Sequence, residues 1–368
     1  MSKPAKNLLR FLCTSVLVVL LAAALNFVVD PLQLFRPARF YPAVYSPDSR
    51  MQNAGLIRSQ DFDTLFMGTS LAVHFRQSDI DRYLGVRSLK LATAGSTSAE
   101  QIFILDAALR RHPKMIIWEM DEWIFRDAPD VDTEAYMPAD LYRMNARGIA
   151  GYLFGLDTTR ESLWAMLRFF KPLEIVAHGL AAAQYLKFYE TRVNEINALP
   201  ASADLASFYN ASKTKASYAH NLKNPSEISA GYDYEAMVRN FERDAIGLIE
   251  NNPNVEFRIY FPPYSILQFV AMREVAPATL QLVYKFSAYV IDRLLSLPNV
   301  TVSDFRDAQD ITHDLNNYLD LLHHSPVVDL KVLSGLAAGE HAVSRAAPLA
   351  SIGRLQSQVE AYRQKLER

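Results

Sequence analysis

The chain has 368 residues, 50% of them hydrophobic and 21% charged, with 38 basic against 40 acidic side chains for a formal net charge of −2. Disorder is excluded, because 20 Phe and 18 Tyr supply apolar area to bury and only 13 Gly dilute it. A nucleic-acid partner is excluded as well, since a phosphate backbone calls for a clustered Lys/Arg footprint. The single cysteine, Cys13, rules out an internal disulfide and a cysteine-based structural metal site.

Residues 11–29, FLCTSVLVVLLAAALNFVV, carry no charge; they follow Lys3, Lys6 and Arg10 and are closed by Asp30-Pro31. At about 1.5 Å rise per residue this helix spans close to the roughly 30 Å hydrocarbon core of a bilayer. The three cations place residues 1–10 in the cytoplasm and the rest of the chain outside. A cleaved signal peptide is the rival reading, with Ala22-Ala23-Ala24 as its small-residue site. The apolar run continues through Leu25, Phe27, Val28 and Val29, which favours a retained anchor. The expected address is therefore the inner membrane, single-pass, with the folded domain periplasmic. The mean hydropathy of −0.02 averages this helix with a more polar remainder.

Residues 30–60, with Pro31, Pro37, Pro42 and Pro47, read as a stalk. From there short apolar runs alternate with helical patterns: TLFMG (64–68), a helix at 77–83, SLKLA (88–92), a helix at 98–111 with Ser98 as cap, and MIIWEM (115–120). Such alternation predicts βαβ units and a parallel sheet covered by helices. Residues 127–230 lose the alternation and read as a largely helical insertion. The pattern resumes with a helix at 234–250, a strand and loop at 255–265, a helix at 278–297 and a strand at 300–305. The domain is expected to run over 61–345. A polar helix over 346–368 closes the chain, with Leu349, Ile352, Leu355 and Val359 on one face.

Three segments carry candidate chemistry. LFMGTS (65–70) ends a strand in a small-residue turn with Ser70 at its mouth, where α/β sheets place ligands; a capping serine is the plainer reading of it. Gly95 in LATAGSTSAEQ (91–101) offers an unobstructed backbone N–H to an anionic oxygen. Asp320 and His323 in NNYLDLLHHSP (316–326) are three apart, so that Asp320 can fix the imidazole tautomer while His323 takes a proton from a serine. His324 is adjacent to that base and competes with it, although the D-x-x-H spacing selects His323. His74, four residues after Ser70, falls on the same face of a helix continuing from it. The acidic run Glu119-Met120-Asp121-Glu122 makes Asp121 a further site-lining candidate. No cofactor motif is present, and no HExxH-type spacing supports a metal site.

GTS (68–70), ATAGSTSAEQ (92–101), IIWEMDEWIF (116–125) and DLLHHSP (320–326) resemble the four landmark regions of the SGNH/GDSL-type hydrolases, in particular their membrane-anchored bacterial branch. The resemblance runs from about residue 63 to 335 and implies a three-layer α/β/α fold. It implies Ser70 as nucleophile, the Ser70 and Gly95 amides as oxyanion donors, and Asp320 and His323 as the rest of a triad. The sequence departs from the family at two places. The first block lacks the Asp-Ser-Leu pattern, and the third has no Asn where the family places an oxyanion donor.

Two functions follow. One is an extracytoplasmic esterase or O-acyltransferase acting on acyl esters, in first place acetyl, of an acylated cell-envelope or secreted polysaccharide. The resemblance implies a membrane-bound O-acyltransferase as a partner. The other is a catalytically weak SGNH-fold protein that binds envelope polysaccharide as an assembly factor. Tyr136, Tyr142, Trp164 and Tyr185 of the insertion are candidates for sugar contacts, with core packing as the plainer reading.

Overall fold

The computed structural model describes residues 2–38, 48–126, 137–169 and 205–366. The chain divides into two compact units, one of residues 1–60 with 134–195 and one of residues 61–133 with 196–368.

In the first unit the helix Lys3–Val29 is long and apolar enough to cross a membrane, with a mean hydropathy of 2.5 over its most apolar stretch. Leu8, Leu12, Val16, Leu20 and other large side chains stand exposed along it. Its C-terminal turns are different, since Ala23, Asn26 and Val29 are buried. The Asn26 amide donates to the Leu153 carbonyl at 2.8 Å and to Thr159 Oγ1 at 2.9 Å, and accepts from Ser162 Oγ at 2.9 Å. Asp30 ends the helix in the left-handed region, and its carboxylate collects the backbone N–H groups of Leu34, Phe35 and Arg36 and the Tyr152 hydroxyl.

The residues expected as a stalk are folded where described, because Asp30 organises the turn that follows it. Leu32 and Leu34 form a small core with Ala54, Leu141 and Tyr152. Helix Ser49–Ser59 can lie on that strap only through a glycine: a Cβ at Gly55 would sit 1.8 Å from the Leu32 carbonyl oxygen. Tyr142 packs on the same core and donates its hydroxyl to the Arg50 carbonyl. Trp164 lies half-buried on helix Leu156–Phe169. Tyr136, Tyr185 and the helical pattern expected after residue 169 lie outside the described residues.

The second unit is built on five strands: β1 (Thr64–Met67), β2 (Ser88–Lys90), β3 (Met115–Glu119), β4 (Glu256–Phe261) and β5 (Val300–Asp304). They form one all-parallel sheet in the order β2-β1-β3-β4-β5. The inner strands β1 and β3 are short apolar runs because both faces are covered, whereas β5 at the sheet edge leaves Thr301 exposed. On one face Phe66, Ile117 and Tyr260 pack with Ile80 of helix Gln77–Leu84 and with Val328, Val332 and Leu333 of helix Pro326–Ala338. On the other, the Trp118 indole donates to Gln101 of helix Ser98–Leu109 at 2.7 Å. That helix is capped by Thr97, not Ser98; Thr97 and Glu100 form a reciprocal capping box, which leaves the Ser98 hydroxyl to bond Asp244.

At the C-terminus, helix Ala350–Leu366 buries Ile352, Leu355 and Val359, while Leu349 precedes it and is exposed. Residues 205–230, read from the sequence as part of the insertion, belong to the sheet unit and include helix Ala211–Lys223.

In this strand order the chain leaves β1 toward one edge of the sheet and β3 toward the other. A crevice therefore opens beyond the carboxyl ends of β1 and β3, where doubly wound sheets bind ligands. Ser70 follows β1, and Glu119 to Glu122 close β3.

Candidate active site

Beyond β1 the chain turns at Gly68-Thr69-Ser70. Glu119 at the end of β3 fixes this turn: its Oε2 accepts from the Thr69 backbone N–H at 2.8 Å and from Thr69 Oγ1 at 3.1 Å. Gly68 is required because a Cβ there would meet Glu119 Cβ at 2.8 Å and Ala72 Cβ at 2.5 Å. Glu119 is wholly buried, and burial pushes its carboxyl up to about 7 against the opposing pull of the Thr69 bonds and His324.

The segment 318–325 brings the other two residues of the group. Tyr318 and His324 pair as an antiparallel bridge, and the Tyr318 hydroxyl bonds the Pro263 carbonyl. Inside this clamp Asp320 Oδ1 accepts the backbone N–H groups of Leu322 and His323 at 2.8 and 2.7 Å. Its other oxygen lies 2.7 Å from His323 Nδ1, and His323 Nε2 lies 2.9 Å from Ser70 Oγ. A carboxylate only accepts, so the imidazole proton sits on Nδ1 and Nε2 is left to accept from the serine.

The charges follow the geometry. Burial opposes the imidazolium of His323, but the hydrogen bond and charge of Asp320 outweigh it and raise the histidine above its ordinary value. Burial likewise opposes ionisation of Asp320, and the hydrogen bond from His323, its charge and the two backbone N–H groups hold the carboxyl below the usual range. A serine hydroxyl so placed can lose its proton to Nε2 while attacking an electrophilic carbon.

Ser70, Gly95, Asp121, Asp320 and His323 line one cavity of about 380 Å³. Gly95 has φ of +65°, and a Cβ built on it meets nothing within 4 Å, so this glycine serves the backbone conformation. Its loop is held from both sides. The Thr93 N–H bonds the Gly68 carbonyl at 2.9 Å, and Ser96 Oγ accepts from the Gln101 amide that Trp118 orients. Among the described residues neither the Ser70 nor the Gly95 backbone N–H is spent on a protein acceptor.

The structure does not bring His74 or His324 into this cavity. Residues 70–74 form successive turns and a helix starts only at Gln77, so His74 has no helical register with Ser70. It lies in a separate hollow with Arg76, Asp79 and Asp329. Burial there lowers it to about 4, with the charges of His324, Lys90 and His323 acting the same way. His324 is 1% exposed, 3.1 Å from Asp329 and edge-on to the Phe75 ring. The clamp explains the split: consecutive residues on an extended segment point to opposite sides.

Cavity residues that the sequence reading did not single out include Trp123, Arg126, Tyr232, Tyr264 and Phe269. The Arg126 guanidinium lies over the rings of both Trp123 and Tyr232. Among the described residues no group of three or more His, Cys, Asp or Glu is arranged to hold a metal ion. Set against known proteins, the chain matches no protein-family model and no curated protein.

Proposed function

We propose that this chain is a membrane-anchored serine esterase or O-acyltransferase of the SGNH type, acting on acyl esters, in first place acetyl, of a cell-envelope or secreted polysaccharide. The observation that carries the reading is the line Ser70 Oγ, His323, Asp320 at 2.9 and 2.7 Å on the wall of a cavity that also holds the Gly95 amide. In the reaction Ser70 Oγ adds to the acyl carbonyl and gives its proton to His323 Nε2. The Ser70 and Gly95 amides hold the oxyanion. Collapse expels the sugar oxygen, which takes the proton from His323, and leaves an acyl-Ser70. Water or a second sugar hydroxyl then attacks, passes its proton through His323 and frees the serine.

In this reading the helix Lys3–Val29 tethers the domain on the periplasmic side, beside nascent glycan and a membrane-bound O-acyltransferase partner. The competing reading, a binding factor with a spent site, has in its favour that β3 ends without a side-chain amide. It leaves the aligned Ser70, His323 and Asp320 without a purpose.

The test is a fluorophosphonate probe with p-nitrophenyl acetate turnover on the full chain in detergent. Labelling of the parent that disappears in Ser70→Ala is expected, with turnover lost in His323→Ala. An unlabelled parent, or labelling that survives Ser70→Ala, overturns the reading.

A further inference from the structure

The Ser70 and Gly95 amides provide two donors for an oxyanion, and the end of β3 supplies an acid where the SGNH reading calls for a third. Asp121 is 1% exposed and lines the cavity with Ser70, Gly95 and His323. Its Oδ1 accepts the Trp123 backbone N–H, which starts the short turn Glu122–Phe125. Its Oδ2 is buried and has no hydrogen-bond partner. The Tyr264 hydroxyl lies beside it, outside good hydrogen-bond geometry yet close enough to favour the ionised carboxyl.

The surrounding charges decide its protonation state. Glu119 on β3 and Glu122 on the turn are buried carboxyls within two residues of it. The buried guanidinium on this side of the sheet, Arg306, is committed: it grips Asp304 with two bonds at 2.8 Å and also bonds Glu122 and Ser287. Arg126, facing the cavity, donates to the carbonyls of Trp123 and Ala230. His323 turns its Nδ1 to Asp320 and its Nε2 to Ser70. A buried carboxylate without a cation takes a proton in preference to paying full desolvation.

We propose that Asp121 acts as a neutral carboxylic acid whose Oδ2–H donates to the carbonyl oxygen of the bound ester, completing the oxyanion site with the Ser70 and Gly95 amides. The assignment rests on the acyl-enzyme reading of Ser70. Burial, together with the charges of Glu119 and Glu122, pushes the Asp121 carboxyl well above the usual range, with Tyr264 and the Trp123 N–H pulling the other way. As Ser70 adds to the carbonyl, the developing negative oxygen gains a third hydrogen bond, and the Asp121 proton stays on its carboxyl throughout. A neutral acid kept in an apolar site for this purpose has precedent in other enzymes.

The experiment compares the full-length parent with Asp121→Asn, which matches it in size, and Asp121→Leu, which keeps its branched outline without polar atoms, by fluorophosphonate labelling rate and p-nitrophenyl acetate kcat and KM against pH. Asp121→Asn, a weaker donor but one at every pH, is expected to keep labelling and turnover well above the leucine variant at neutral pH and to lose the alkaline fall that ionisation of Asp121 imposes. Asp121→Leu should lose about 10²–10³-fold in kcat with KM little changed. Asp121→Ala replaces the leucine variant if thermal unfolding shows that one to be misfolded. A leucine or alanine variant with parental kcat overturns the proposal alone. So does a folded Asp121→Asn that falls as far as they do, or that keeps the alkaline fall. An unlabelled parent overturns the reading of Ser70, and the role of Asp121 with it.

Discussion

Alanine at Gly68 tests how the turn carrying Ser70 is built. The added Cβ would lie 2.5 Å from Ala72 Cβ, 2.8 Å from Glu119 Cβ and 2.6 Å from Glu119 Oε2. Two of these atoms are rooted on backbone, so no rotamer change relieves them. Overpacking of this kind costs about 1–3 kcal/mol. If Glu119 withdraws instead, its bonds to Thr69 are lost, at about 1.5–3 kcal/mol. The two routes partly substitute for one another, which puts the expected loss at ~3 kcal/mol and, for a unit of more than 200 residues, the fall in Tm at ~6–12 °C. Because Thr69 precedes Ser70, the same displacement takes Oγ out of line with His323 and should slow fluorophosphonate labelling by about 100-fold. Gly95→Ala is the contrast: with nothing within 4 Å, it should cost only the left-handed strain of about 1–2 kcal/mol. Thermal unfolding and labelling rate are measured on both variants. A Gly68→Ala protein that melts with the parent and labels at the parental rate refutes the packing argument.

The labelling rate should rise with pH through a value above the ordinary histidine range, because His323 must be neutral to take the serine proton and Asp320 raises it. Asp320→Asn removes that support, so the rise should move to lower pH and the plateau drop by about 10⁴-fold; an unmoved profile would exclude His323 as the base. The same shifts enter stability with opposite signs. The raised His323 contributes below its unfolded value of about 6.5 and loses that contribution as pH rises through its folded value, whereas the lowered Asp320 contributes above about 3.9 and loses it on acidification. Arg306→Met leaves Asp304 and Glu122 buried without their cation and should cost about 3–5 kcal/mol in denaturant unfolding at neutral pH. A loss below about 1 kcal/mol would mean that this network is not desolvated as its burial implies.

What could be read from the sequence follows the range of the interactions that fix each part. The strands were legible because the inner ones, β1 and β3, are short apolar runs buried almost throughout, and β4 and β5 keep buried apolar residues at alternate positions. Asp320 and His323 were legible because their turn is local: one carboxylate accepts N–H groups two and three residues on. Helix Ile266–Val275 was not, since every residue from Ile266 to Met272 is buried and no polar face marks the helical period. Helix Ser49–Ser59 was hidden for the converse reason, its buried Gln52 being satisfied by the Leu32 carbonyl twenty residues away. The hold of Glu119 on Thr69 spans fifty residues and leaves no trace in local pattern. Spacing alone selected His323 over His324; what the sequence did not show is that His324 is turned into the core beside Asp329, a direction that its pairing with Tyr318 sets.

The buried charges of the sheet unit are not scattered. Lys90 ends β2, Glu119, Asp121 and Glu122 close β3, and Asp304 and Arg306 close β5, each 5% exposed or less. The charges at the opposite ends of these strands, such as Asp63, Arg87 and Glu256, are partly or largely exposed instead. Apolar residues of similar volume would make a more stable edge, since a buried ion pair seldom recovers its desolvation cost in full. Buried polar atoms without partners gather there too: Glu119 Oε1, Asp121 Oδ2 and the hydroxyls of Tyr260 and Tyr264. Each such atom costs about 1–3 kcal/mol. A fold that tolerates this concentration at the carboxyl ends of its strands, and keeps Phe66, Ile117 and Val332 close-packed beneath, spends its core stability on the edge that faces the cavity. Substitution of Asp121 by an apolar residue removes one such atom but also the cap on Trp123, about 0.5–2 kcal/mol, so stability in denaturant unfolding is expected to change little while turnover falls, a pairing that a purely structural acid would not produce.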